Sequence, residues 1–457
     1  PGRARRRLFD FSTLRLPPRA WPYNHHPMRA PWQPPPELVE PIGRLAAESG
    51  TPFFLFSERR IREVVETFRR RLAPVRHRIE YSVKTNREAR VLRLLAAAGV
   101  GVEVTGDWEL EWVGRCGFEP GRITLDGPIK SESLLEAGLA MGVSRVHVDS
   151  RRELETLSRL ASRRGIVQPV LFRVAERARL APSVAESAIG RFGFGPEEVL
   201  SVGRDLAAGR LPGVRLEGLS FFLGSQILSP RAFRGGMERI GRLVEALRRL
   251  GVEVAEVNAG GGFPTPGLVK TSAGNAARRL LGLRPGSVPP IDAYLDVLLE
   301  AHRDLSARLG VELALGVQPG RCLVGAAAVL VGRVREVKGR WVFLDASHDY
   351  LPETLLFAQR EAAIVGEGAA RPRRRVHLAG RTIAASDVFA LGIAMPRPEV
   401  GDLVALADAG AYSLSRVSRS IALTPVAWWL AEDGRVEVLR RADTVDDAMA
   451  TTVTGSS

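Results

Sequence analysis

The feature that most constrains this chain is a repeat of two unlike segments. A short run rich in β-branched and aromatic residues is followed by a longer stretch of helical period. The runs lie at 79–85 (IEYSVKT), 100–105, 123–128, 145–150, 169–175, 216–224, 256–262 and 312–320. Stretches such as 87–99 (REARVLRLLAAAG) and 150–165 (SRRELETLSRLASRRG) separate them. Strands joined through helices must lie parallel, with the helices covering the sheet. Eight runs between residues 79 and 320 match the count and length of a (β/α)8 TIM barrel. The competing open doubly wound sheet needs G-x-G-x-x-G after its first strand, and that fingerprint is absent.

Past residue 320 the period changes. Runs such as RWVFLDAS, GDLVALADAGAYS and PVAWWLA follow one another with turns and few helical stretches, which predicts a C-terminal all-β domain. The expected organisation is a Pro/Arg-rich arm over 1–38, a leading strand within 39–60, the barrel over 61–315, the β domain over 316–445 and a tail over 446–457. The leading strand (TPFFLFS, 51–57) is expected to join the β domain.

Composition excludes several classes. Hydrophobic content of 45% and charged content of 25% are ordinary for a globular chain. No apolar run approaches the roughly 20 residues that span a bilayer, and the basic N-terminal stretch lacks a signal-peptide core, so no membrane partner is expected. Two cysteines, Cys116 and Cys322, rule out a disulfide framework and point to a reducing cytoplasm. The net charge of +14 favours an anionic ligand. The arginines are spread along the chain without a recognition helix or stacking motif, so nucleic acid is not the expected partner. His25 and His26 lie in the arm without ligand spacing, so no metal is expected.

The basic residues carry a second signal. Of 65 Lys+Arg, only Lys84, Lys130, Lys270 and Lys338 are lysine. An arginine stays protonated, whereas a partly desolvated lysine can release its proton and condense with an aldehyde. A snorkelling strand-end lysine is the bland alternative for Lys84. Barrel enzymes place their sites at the C-terminal ends of the strands. Lys84, Glu109, Arg173, Gly224 with Ser225, the triple glycine 260–262 and Q-P-G-R at 318–321 all fall there. Glycines let backbone N–H groups approach an anion closely, and Ser225 with Arg321 would complete a phosphate cup. An amine facing a phosphate cup describes an aldehyde held by its phosphate, and pyridoxal 5'-phosphate is such a ligand.

The motifs YSVKTN (81–86), GLSFFLGSQ (218–226), NAGGGFP (258–264), QPGR (318–321), SD (386–387) and DAGAYS (408–413) together resemble, in order, the ornithine/diaminopimelate/arginine decarboxylase family of fold-type III pyridoxal-phosphate enzymes. The resemblance covers roughly residues 45–445. It implies that Lys84 carries the cofactor and later returns a proton to Cα. Ser225, Gly261, Gly262, Arg321 and Tyr412 would hold the phosphate, with Arg173 near the ring and Glu109 as the acid near the lysine. It also implies a homodimer with a shared site, in which Tyr412 and Asp387 come from the partner.

The chain departs from that pattern at three points. Gln318 stands where the family has the Glu that keeps the pyridine nitrogen protonated, which weakens the electron sink. Phe222 replaces a ring-stacking His. In GRTIAASD (380–387), Ile383 replaces a Cys proton donor and Ala384 replaces a substrate-facing acid. The loss of that acid argues against an ordinary diaminopimelate decarboxylase. Asp345 or His348, in LDASHDY, are candidates for supplying the missing acid near the substrate. The favoured reading is an amino-acid decarboxylase with an unusual, less cationic substrate. The alternatives are a racemase or other reaction at Cα, and a non-catalytic cofactor-binding relative. Trp428 and Trp429 read as β-domain core or dimer surface, and Cys322 as a small buried hydrophobe.

Overall fold

The computed structural model describes residues 31–175, 191–270, 287–353 and 358–452; the arm up to residue 30 lies outside them. Where the sequence suggested the end of an arm and the start of a strand, a helix spans Pro36–Glu48. Proline is tolerated in its first turn, and Leu38, Ile42 and Leu45 fall on one face at helical spacing. That face packs on Phe53, Leu55, Val329, Val331 and Ala405.

The first strand, β1 (Phe53–Ser57), is buried along its length. The barrel strands follow as β2 (His77–Ser82), β3 (Gly101–Val104), β4 (Ile123–Leu125), β5 (Arg145–Val148), β6 (Gln168–Arg173), β7 (Val214–Ser220) and β8 (Glu256–Asn258), with β10 (Ala314–Val317) closing the ring. Between the last two lies the short β9 (Leu268–Lys270), outside the barrel. All eight barrel strands pair in parallel, and β10 joins β8 to β2. Each expected run overlaps one of them, and every run extends past its strand toward the C-terminus. The surplus is loop at the top of the barrel. In the first run the strand stops at Ser82 and a 3-10 turn, Val83–Thr85, carries Lys84.

The lumen of this barrel is polar. Glu80, Glu103, Thr124, Asp126, Arg145 and His147 are all buried, at alternate positions on or just beyond β2 to β5. Arg145 on β5 donates to Glu256 on β8 at 2.7 Å and lies 3.3 Å from Glu80 on β2. Contacts between strands that are not neighbours can run only through the lumen. Thr124 donates to the same Glu80 at 2.7 Å. This ionic layer fills the lower barrel, and the pocket opens above it. The intervening Tyr81, Val102, Val104, Leu125, Val146 and Val148 are buried in the apolar core.

Residues 328–440 build a nine-stranded sheet that includes β1. β1 pairs antiparallel with Ala328–Val331 of β11 (Ala328–Lys338) and parallel with the later strand Ala427–Leu430. A strand from before the barrel is thus locked into the centre of the sheet that follows it. Trp429 is fully buried there and stacks on Phe56 at 6.5 Å, so it is core. Cys116 and Cys322 are free and buried. Among the described residues, no helix is long and apolar enough to cross a membrane, and no group of three or more His, Cys, Asp or Glu is arranged to hold a metal ion.

Candidate active site

The Lys84 turn is braced from the far end of the chain. The Asn86 amide donates to Gly410 O at 2.9 Å, while Tyr412 N and Ser415 Oγ donate to Thr85 O at 2.8 and 2.9 Å. These contacts lie within one chain and place Tyr412 in the same pocket as Lys84. Tyr412 was expected from a partner subunit; its own chain supplies it. Its backbone is left-handed (φ 53°), a strained conformation for a tyrosine held by those bonds.

The Lys84 side chain is 53% exposed, and its amine opens into the pocket. Nζ donates to Glu103 Oε1 at 3.1 Å. Glu103 is the largest influence on the amine, with help from Tyr412 and Asp126, and holds it protonated above the ordinary lysine value against the opposing effect of burial. The sequence reading expected desolvation to free the amine; the facing carboxylate reverses the sign. It also placed the acid at Glu109. That carboxylate instead accepts Thr105 N at 2.8 Å in the loop leading into the Asp107–Arg115 helix, and it does not line the pocket. Glu103 was legible as an acid facing inward from a strand beside the lysine strand, paired with Ser82.

Beyond Glu103 lies a group that the sequence reading missed. Asp126 follows β4 and accepts Gly127 N at 2.6 Å. It lies 3.5 Å from Gln318 Nε2, 3.6 Å from Arg173 Nη1 and 3.8 Å from His147 Nδ1. Burial acts to raise its pKa, but His147, Arg173, Glu103 and Lys84 together hold the carboxyl well below the usual range. Glu103 moves the opposite way, raised by burial and by Asp126 despite Lys84. Burial lowers the His147 value against the opposing pull of Asp126 and Glu80. Lys130, fully buried, donates to Gly127 O at 2.6 Å and His147 O at 2.8 Å and pairs with Glu153 at 2.7 Å, fixing the loop that carries Asp126. The Arg173 guanidinium stacks over Phe222 at 5.6 Å.

The opposite end of the pocket is built for an anion. An added Cβ on Gly261 would fall 2.4 Å from Gln318 O, and one on Gly262 (φ 96°) would fall 2.3 Å from Gly224 O, so only glycine fits either position. Arg321 is 7% exposed, stacks on Tyr412 at 4.7 Å and reaches toward Ser225 Oγ at 3.5 Å. Its two terminal nitrogens also clasp Glu353 at 2.8 and 2.9 Å, a partner not foreseen from sequence. A glycine cradle beside a buried guanidinium, in a pocket that also contains a lysine amine, fits a phosphorylated aldehyde.

The residues expected near substrate from the β domain are occupied elsewhere in this chain. Asp345 accepts Thr51 Oγ1 at 2.7 Å and Arg333 N at 2.8 Å, and pairs with Arg335 at 2.9 Å. Asp387 accepts His348 N at 2.8 Å, Thr382 N at 2.8 Å and Thr382 Oγ1 at 2.6 Å, closing the 380–387 loop. His348 lies 3.7 Å from the same carboxylate. None of the three lines the Lys84 pocket.

A parallel eight-stranded barrel with a lysine at its mouth, an anion cradle beside it and an all-β sheet is the architecture of fold-type III pyridoxal-phosphate enzymes. Residues 58–325 match the family described as pyridoxal-dependent decarboxylase, pyridoxal binding domain. The chain belongs to that family, and its cofactor is pyridoxal 5'-phosphate. It is 28% identical over 416 residues to the diaminopimelate decarboxylase of Archaeoglobus fulgidus, covering 89% of this chain and 94% of the relative. The diaminopimelate decarboxylase of Zymomonas mobilis is 26% identical over 427 residues, covering 90% and 94%. A crystal structure of diaminopimelate decarboxylase from M. jannaschii with L-lysine superposes with a TM-score of 0.76 at 24% identity, covering 90% of this chain and 94% of that one. The chain is a pyridoxal-phosphate-dependent decarboxylase. Nothing in these comparisons supports the racemase or non-catalytic readings.

Proposed function

We propose that this decarboxylase removes the α-carboxylate of an amino acid whose distal end is not cationic. The observation that carries the proposal is the 380–387 loop. It presents Ile383, 99% exposed, with Ala384 beside it, and its one acid, Asp387, is consumed in closing the loop. A distal ammonium needs a carboxylate partner when desolvated, and an apolar side chain there rejects it. The chain acts as a homodimer in a cytoplasmic setting, with the exposed Ile383 covered by the second copy. Pairing across copies supplies the apolar contact that this residue lacks in a single chain.

Lys84 would carry the cofactor, and Gly261, Gly262, Ser225, Arg321 and Tyr412 would hold its phosphate. When bound, the cofactor withdraws the electron pair left at Cα as carbon dioxide departs. The protein's own residues supply the proton. Ile383 cannot donate one, whereas Lys84 holds a proton at Nζ against Glu103 Oε1, so the proton returned to Cα comes from Lys84. Phe222 and Arg173 cover one side of the pocket.

The test is carbon dioxide release from a panel of diaminopimelate, L-lysine and L-ornithine beside amino acids with uncharged side chains. Release confined to the uncharged group is expected. Faster release from diaminopimelate would overturn the substrate proposal.

A further inference from the structure

We propose that Asp126 positions Gln318 so that the amide carbonyl, not its NH2, faces the ring nitrogen of the cofactor, giving that nitrogen the acceptor it needs to stay protonated. The inference rests on the cofactor assignment above and concerns residues that no comparison assigns.

In pyridoxal phosphate the ring nitrogen is separated by one ring carbon from the carbon bearing the phosphate arm. A pocket-lining side chain just beyond the phosphate cradle can therefore reach it. Gln318 meets that requirement: its backbone carbonyl oxygen lies 2.4 Å from where a Gly261 Cβ would be, and the residue lines the pocket. Alone, a glutamine is ambiguous, because its NH2 donates and its carbonyl accepts. A donor facing the nitrogen would keep it unprotonated; an acceptor would favour the protonated form.

Asp126 removes the ambiguity. An ionised carboxylate has no hydrogen to give, so whichever end of the Gln318 amide meets it must be the NH2, and the contact is Nε2 to Oδ2 at 3.5 Å. The amide carbonyl is then the end of the group left to face the cofactor. The charges facing Asp126 favour its ionised form. Arg173 from β6 lies 3.6 Å away, and Lys84 is bonded to the neighbouring Glu103; the buried His147 ring from β5 lies 3.8 Å from the same carboxylate. Gly127 N donates to its other oxygen at 2.6 Å. Its backbone cannot drift, since Lys130 pins Gly127 O and His147 O. A carboxylate that would touch the nitrogen directly is thus replaced by one acting through an amide.

The experiment loads the full-length protein with 15N-labelled pyridoxal phosphate and reads the ring-nitrogen chemical shift, which separates pyridinium from free pyridine without turnover. The parent protein should show the pyridinium signal. Asp126→Ala should lose it, and Gln318→Glu added to that variant should restore it. Gln318→Leu, which leaves Asp126 and its supporting bonds in place, should lose it as well, so the proposal stays testable if Asp126→Ala does not fold. A pyridinium signal persisting in either single variant would overturn the relay while leaving the cofactor assignment intact. A parent protein that takes up no cofactor would overturn both.

Discussion

Replacing Arg321 with glutamine tests the phosphate cup in a way that separates binding from folding. The guanidinium is buried, stacked on Tyr412 and clasped by Glu353. Its loss removes one charge-assisted contact from the phosphate, about 1.5–3 kcal/mol, which corresponds to roughly tenfold to 150-fold in Kd. It also strips Glu353 of its bidentate partner. Arg416, 3.6 Å from that carboxylate, remains to offset part of the loss. The structural effect acts on every ligand alike, so the useful quantity is a ratio. Titration of apo-protein fluorescence with pyridoxal phosphate and with pyridoxal, which lacks the phosphate, gives two dissociation constants for each variant. The preference for the phosphorylated form should fall by the stated factor in Arg321→Gln while pyridoxal affinity stays nearly unchanged. Equal weakening of both ligands would refute the phosphate role and leave Arg321 as a structural partner of Glu353.

Other consequences follow from the buried charges. Arg145→Met strips Glu80 of its cation and leaves Glu256 only Arg78, 3.4 Å away, and a broken buried pair costs about 3–5 kcal/mol; urea denaturation should show this loss. Burial raises the Glu256 value, so the deficit should shrink in acid as that carboxyl takes up a proton. Burial depresses His302 below the ordinary 6.5, so its stabilising contribution is present above that value and is lost as pH falls through the depressed one. The thermal midpoint should fall between neutral pH and about pH 5. His302→Gln, which can still donate to Leu313 O, should make the fall shallower.

The barrel was legible because its strands are separated by helices of clear period, and those helices alone determine that the sheet is parallel. The strand ends were not legible: loop residues such as Lys84 and Gly260–Gly262 continue the apolar or small-residue texture of the strands they follow. The Pro36–Glu48 helix was missed because prolines at its start read as a linker, although Leu38, Ile42 and Leu45 carried the period. Motif order brought the phosphate cradle and Lys84 together. It gave no access to Asp126 or Glu353, which meet their partners only across long stretches of sequence. It misplaced Tyr412 for the same reason, since the bonds from Tyr412 N and Ser415 Oγ to Thr85 O link residues more than 300 positions apart.

The central claim is that Lys84 and the pocket around it decarboxylate an amino acid. The direct measurement is release of labelled carbon dioxide from carboxyl-labelled amino acids, by the cofactor-loaded protein and by Lys84→Ala loaded in the same way. The account predicts release by the parent protein, loss of borohydride-trappable cofactor in the variant, and no release above background there. Release at an equal rate without Lys84, or none from any amino acid by a parent protein carrying cofactor on Lys84, would contradict it.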